Sequence, residues 1–392
     1  MSNTNTKLFL HGKYLAELIA CSIRESAPER PFDGIDWEQI YQLAVFHNVT
    51  ALVYPSLKAL DVPAEIMQKF TYHNNRMIAR EARQEIEAQK IFSVLKKENI
   101  PFIKMKGIAL KNCYPLPYMR SHSDVDICMS AENRKRAGKI LEDMGYIREG
   151  SIDYHDEYCK DDFFIYEIHS AIMSPHSPLA PVFEEPFSKA VPDSDSAGYV
   201  FNDDYFYLSL VIHLYKHFVS EGCGIRLFAD LLVFERTHPK LDFDFVRKTL
   251  EKYGLCDFYE HIRNLCSCLF GGQEFDERYT LIAEFIFKSG EYGSPELKRI
   301  SWISSDKSAN ISFRDKMKYF FKNWFPGVST LKKKYPVLEK APVLLPVCWI
   351  RRGFYTIFHK PQALKEQREE IKKMSSQEMK HAKHIRSLAG IR

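Results

Sequence analysis

Residues 100–129 read IPFIKMKGIALKNCYPLPYMRSHSDVDICM, and this stretch decides the fold. IPFIKMKG alternates Phe102 with Ile103 and ends at Gly107, as a strand feeding a turn does. IALKNCY suits a short helix stopped by Pro115 and Pro117, and SDVDICM suits a second strand. Asp124 and Asp126 are two apart in that strand, so their carboxylates leave the same face. Like charges held so close are unfavourable unless a cation lies between them. Hard oxygen donors of this kind suit Mg²⁺ or Mn²⁺, which also hold nucleotide phosphates.

The neighbouring residues extend this reading. Lys106 and Gly107 lie at the strand-to-helix turn, where a glycine lets backbone N–H groups approach a phosphate. Arg120, four residues before Asp124, has the fork geometry for a phosphate. Further on, YHDEYC and DFFIYEIHSAI flank a polar turn at Lys160–Asp162 and read as a hairpin. In its second strand Phe164, Tyr166 and Ile168 share one face, which leaves Glu167 and His169 on the other. Glu167 is thereby a third candidate carboxylate.

Working outward, residues 1–97 read as a helical domain, with Trp37, Ile40, Tyr41, Leu43, Ala44 and Val45 spaced for a buried stripe. Residues 98–200 form the α/β segment, closing with a Pro/Ser/Asp-rich connection at 174–199. Residues 201–300 return to helical periodicity, with Leu208, Val211, Ile212 and Tyr215 on one face, and 301–392 form a basic helical region. The expected fold class is α+β, a small mixed sheet set between mainly helical domains.

The 392 residues, 45% hydrophobic, suffice for several cores, which excludes disorder throughout. With 27% charged residues, a mean hydropathy of -0.32 and no apolar run near 20 residues, an integral membrane protein is excluded. The N-terminal MSNTNTKLFLHGKYLAEL lacks a signal-peptide core, so a cytoplasmic location, with a possible peripheral membrane contact, is expected. Nine scattered cysteines without a CxxC pair fit reduced thiols rather than disulfides or zinc. His213 and His217 share a helical face, but no Glu follows the first, so the metalloprotease motif is missing. Arg226 and Asp230, four apart, are spaced for a helical ion pair. No P-loop or dinucleotide fingerprint is present.

The net charge of +4 is uneven: residues 314–392 carry 19 Lys and Arg against 6 Asp and Glu, a net +13. Trp324, Phe325, Trp349, Phe354, Tyr355 and Phe358 are interleaved there with Lys332–Lys334, Arg351 and Arg352. Such a surface fits an anionic partner, RNA or a membrane surface, or equally a solvated helical face.

The set Lys106, Gly107, Tyr114, Pro115, Arg120, Asp124 and Asp126, followed by Glu167 and His169, resembles the core pattern of a bacterial nucleotidyltransferase family in the DNA polymerase β-like superfamily. LAVFHNVTALVYPSL (43–57), HLYKH (213–217) with IRLFADLLVF, and the late NWFPGVSTLKKKYP and LLPVCWIRRGF are similar to its flanking regions. The superfamily's usual Gly-Ser or Gly-Gly turn is Lys106–Gly107 here. The resemblance implies Mg²⁺-dependent (or Mn²⁺-dependent) transfer of a nucleoside monophosphate from an NTP to an acceptor hydroxyl. In that reading Asp124, Asp126 and Glu167 hold the metals and carry catalysis, while Lys106, Gly107 and Arg120 contact the nucleotide. The resemblance leaves the acceptor open. The alternatives are a catalytically weak module of the same fold that binds a nucleotide, RNA or protein, and a phosphotransferase using the same carboxylates.

Overall fold

The computed structural model describes residues 3–161, 164–193, 198–291, 293, 321, 324–331, 335, 337–359 and 376–391. The chain divides into two compact units. The first comprises residues 1–217, 223–292 and 389–391, and the second residues 218–222, 293–388 and 392.

The first unit opens with four helices: α1 (Asn3–Arg24), α2 (Trp37–Phe46), α3 (Thr50–Leu57) and α4 (Ala64–Lys97). Asp36 caps α2 by accepting the Gln39 N–H, which satisfies one of the orphan donors of a helix start. The expected stripe is only partly buried: Ile40, Leu43 and Ala44 are inside, whereas Val45 is exposed.

The sheet follows as β1 (Ile103–Lys104), a short α5 (Lys106–Leu110), β2 (Asp124–Cys128), α6 (Ala131–Asp143), β3 (Ile147–Ile152), β4 (His155–Lys160), β5 (Phe164–His169), β6 (Ala190–Pro192) and β7 (Tyr199–Phe201). The strand order is β3-β4-β5-β2-β1-β7-β6. β2 lies parallel to β5, and the remaining pairs are antiparallel except β1 with β7. The expected hairpin is β4–β5. The sequence reading missed β3, whose exposed alternation is weak, and the two short strands β6 and β7, which lie in the stretch read as a connection and at its end.

One face of the sheet is apolar. Val125 and Ile127 of β2, Tyr158 of β4, and Tyr166 and Ile168 of β5 pack against Ile91, Phe92 and Leu95 of α4 and Ala137 and Leu141 of α6. Phe92 stacks on Phe102 with ring centroids 4.9 Å apart. Period-two alternation therefore sends the intervening residues of β2 and β5 to the opposite face. Gly138 of α6 is needed for close approach, because a Cβ there would stand 2.1 Å from the Tyr158 hydroxyl.

Five further helices complete the unit: α7 (Asp203–Ser220, whose last residues enter the second unit), α8 (Ile225–Thr237), α9 (Phe243–Glu251), α10 (Cys256–Phe270) and α11 (Glu277–Ser289). In the second unit, the helix Leu345–His359 buries Cys348 against Leu331 and Leu338, with Val328, Tyr335, Leu345 and Trp349 around them. The Trp349 indole donates to the Pro326 carbonyl at 2.9 Å. Lys332, Lys333 and Lys334 lie outside the described residues. No helix among the described residues is long and apolar enough to cross a membrane.

Candidate functional site

The apolar face of the sheet fixes what stands on the other. In the parallel β2–β5 register Asp126 lies beside Glu167 and Cys128 beside His169. β4 places His155 beside His169 and Glu157 beside Glu167. Three adjacent strands thus present Asp124, Asp126, Glu157, Glu167, His155 and His169 on one face.

Asp126 is the centre, 2% exposed. Its Oδ1 accepts from Lys106 Nζ at 2.6 Å and from His169 Nε2 at 2.9 Å. His169 Nε2 also stands 3.2 Å from Glu167 Oε2. Burial alone would raise the Asp126 carboxyl, but Lys106 and the His169 hydrogen bond hold it far below the usual range. Burial likewise opposes the charge on Lys106, and the nearby Asp126, Asp124 and Glu167 reverse this, raising the ammonium above its ordinary value. For Asp124, burial and then Asp126 push the carboxyl up to about 6, partly countered by Lys106. His169 is raised against burial by hydrogen bonds to Asp126 and Glu167. The cluster carries more negative charge than Lys106 and one imidazole offset.

One ligand atom each from Asp126, Glu167 and His169 lies within 4.8 Å of the others, which can hold a metal ion. Asp124 borders this trio electrostatically without belonging to it. The chemistry of the donor set, buried carboxylate oxygens with an imidazole nitrogen, fits a divalent cation.

Lys106 begins α5 with φ +50°, the left-handed region that a side chain rarely adopts, so its conformation is held by its surroundings. The five-residue α5 contributes little helix dipole, which removes one support for a phosphate at its start. Gly107 answers a steric need, since a Cβ there would meet His122 Cβ at 2.8 Å. The loop beyond is anchored at several points. Buried Lys111 bridges Glu81 and Glu85 of α4, and Gln84 donates to the His122 carbonyl at 3.2 Å. The His122 ring, held neutral by burial and by Lys111 and Arg120, bonds the Asp124 carbonyl at 2.9 Å.

Arg120 departs from its expected role. It is buried, and its Nε and Nη2 contact Asp230 at 2.6 and 2.8 Å while Nη1 donates to the Ser121 carbonyl at 2.7 Å. The fork expected for a phosphate is occupied by a carboxylate from α8. Tyr114 donates to the same Asp230 at 2.6 Å. The expected Arg226–Asp230 pair is replaced accordingly: Arg226 bonds the Ser121 carbonyl at 3.0 Å and Glu291 at 2.6 Å, and Glu291 accepts from Asn48 at 3.0 Å. A long-range acid with two claimants cannot be read from i,i+4 spacing.

The sequence reading also passed over His155 and Glu157. Counting alternate positions back across the hairpin turn from His169 and Glu167 finds both. His213 and His217 face each other with ring centroids 4.5 Å apart, and His213 is kept neutral first by burial, then by His217 and Lys106.

No curated protein matches the chain. A solved structure of the antibiotic-resistance factor ANT(2'')-Ia is similar at 13% identity and a TM-score of 0.33, covering 46% of this chain and 98% of that one. The family described as "Uncharacterised nucleotidyltransferase" matches residues 33–271, which spans the anchoring helices, the whole sheet, the Lys106–Asp126–His169–Glu167 cluster and the Arg120–Asp230 contact. The chain therefore belongs to that nucleotidyltransferase family.

Proposed function

We propose that the protein is a divalent-metal-dependent enzyme that moves a nucleoside monophosphate from an NTP to an acceptor hydroxyl. The observation that carries this reading is the register of Asp126 beside Glu167, with Asp124 two residues away on the same strand face. Asp124 with Asp126 would hold one cation and Asp126 with Glu167 a second, with Mg²⁺ or Mn²⁺ suited to these oxygens. Held by these residues, such cations would supply positive charge against the phosphate oxygens.

The chain's own residues supply the rest. The acceptor oxygen bonds the α-phosphorus as the α–β bridging bond breaks and pyrophosphate leaves. Glu167, only partly buried, accepts the hydroxyl proton. Lys106, kept protonated by three carboxylates, donates to the triphosphate and replaces the Ser of the usual turn. Arg120 acts on the site through the loop it anchors, with no part in holding phosphate.

Incubating the protein with each NTP, with and without Mg²⁺ or Mn²⁺, and following pyrophosphate release over a set of hydroxyl acceptors tests the proposal. Metal-dependent release that Asp126→Asn removes is the expected result. Nucleotide binding without release under every condition would favour a binding module instead.

An anionic membrane surface is the partner that the second unit fits best. Val343, Val347, Ile350 and Phe354 are 82%, 59%, 61% and 60% exposed and recur at helical spacing, with Arg351 beside them. A row of three aliphatic side chains and one ring, flanked by arginine, suits an acyl–headgroup boundary.

A further inference from the structure

The proposed function needs a cation but leaves open why an imidazole sits between the two carboxylates. We infer that His169 is itself a metal ligand and that Asp126, Glu167 and His169 form a position selective for Mn²⁺ over Mg²⁺. This rests on the metal-dependent reading above and goes further by adding a nitrogen donor and a preferred ion.

The spacing carries the argument. His169 Nε2 lies 2.9 Å from Asp126 Oδ1 and 3.2 Å from Glu167 Oε2. Adjacent ligands of an octahedral ion with bonds near 2.1 Å stand about 3 Å apart, which is the edge of that octahedron. The same separations suit hydrogen bonds, in which Nε2–H is shared by two carboxylates. A cation bound there takes the place of that proton, which is released as metal binding to an imidazole requires. His169 Nδ1 has no hydrogen-bond partner among the described residues, so Nε2 is the ring atom aimed at the carboxylates.

The surroundings favour the exchange. His169 is 4% and Asp126 2% exposed, so the donors are held by the sheet rather than by water. Glu167 is half-buried and opens the trio toward solvent on one side. β5 fixes Glu167 and His169 two apart on one face, and the register with β2 brings Asp126 to both. A purely hard-oxygen site would suit Mg²⁺, whereas one imidazole among two carboxylates shifts preference toward a first-row transition ion. Two carboxylates with retained water suit Mn²⁺, the hardest of the first-row divalent ions, which also takes an imidazole.

The test titrates the full-length protein with Mn²⁺ in the absence of nucleotide, reading bound ion from the loss of the free Mn²⁺ electron paramagnetic resonance signal, with Mg²⁺ as competitor. The wild-type protein is expected to bind Mn²⁺ at least about tenfold tighter than Mg²⁺, and His169→Gln to erase that preference while keeping Mg²⁺ binding. His155→Gln, which alters the adjacent imidazole, is expected to leave the preference in place. Pulsed resonance on the wild-type Mn²⁺ protein reads the ligand without any variant: nitrogen modulation from one imidazole is expected. Absence of that modulation, or an unchanged Mn²⁺ preference in a folded His169→Gln protein, overturns the assignment. Transfer activity is scored separately. Normal pyrophosphate release with no Mn²⁺ preference sinks this inference alone, and selective Mn²⁺ binding without release sinks only the enzymatic reading.

Discussion

The guanidinium of Arg120 makes a two-point contact with Asp230, Nε to Oδ1 at 2.6 Å and Nη2 to Oδ2 at 2.8 Å, across 110 residues of sequence. Both groups are buried, and the Tyr114 hydroxyl completes the acid's coordination. The contact ties the loop before β2 to α8, so the strand bearing Asp124 and Asp126 is supported from outside the sheet.

Breaking this pair from one side should be costly. Arg120→Met or Asp230→Asn leaves a buried partner uncompensated, and a loss of about 3–5 kcal/mol in urea denaturation is expected for each. The double variant should cost less than the two single losses combined, because no orphan charge remains. Unchanged stability with a raised NTP KM would instead restore the phosphate-binding role.

Lys106 should behave in the opposite way. Lys106→Met removes the cation facing Asp126 and the proposed triphosphate contact, so transfer should slow by about 10²-fold or more. Its side chain is partly exposed, unlike that of Arg120, so the loss of stability should be smaller than for Arg120→Met. Steady-state kinetics together with a melting curve separate the two lysine and arginine phenotypes; equal loss of stability would contradict this division.

Asp126→Asn should abolish transfer and also destabilise the fold. Relief of carboxylate repulsion alone would predict a gain, but Asp126 is buried and accepts from both Lys106 and His169. An amide there weakens both contacts, at about 1–3 kcal/mol. A melting temperature above the wild type would show that repulsion dominates.

Acid should weaken the protein through His47. Burial lowers its imidazole to about 4, and its Nδ1 accepts from the Ile225 N–H at 3.4 Å. Above the unfolded value near 6.5 both states are neutral and the fold loses nothing; as pH falls below it, only the unfolded chain takes the proton. The contribution between pH 7 and pH 5 is about 2 kcal/mol. Denaturation at both pH values should show a smaller acid loss for His47→Gln than for wild type, and equal losses would mean that His47 is protonated in the fold.

The exposed helix face should bind anionic vesicles. Val347→Glu with Ile350→Glu is expected to weaken sedimentation with phosphatidylglycerol vesicles by about tenfold or more, while pyrophosphate release is unaffected. Binding of the unmodified protein to RNA but not to vesicles would reassign the surface.

Much of the site was legible because it rests on short-range periodicity. Asp124 and Asp126 share a face through the two-residue period of one strand, and Phe164, Tyr166 and Ile168 set Glu167 and His169 opposite the core by the same rule. Turn signals likewise marked the β4–β5 hairpin, and the order of helical, mixed and helical segments follows from where the apolar period changes. The sequence by itself determined which face each of these side chains would take.

Which partner each side chain would meet was decided only in three dimensions. Arg120 and Asp230, like Lys106 and Asp126, are brought together by strand and helix packing, and charge pairing over such separations leaves no local pattern. Arg226 illustrates the point: its spacing from Asp230 fits a helical pair, yet both charges are buried among stronger claimants and take Glu291 and Arg120 instead. Local spacing lists the contacts a side chain can make, and burial, by raising the cost of every unpaired charge, selects among them.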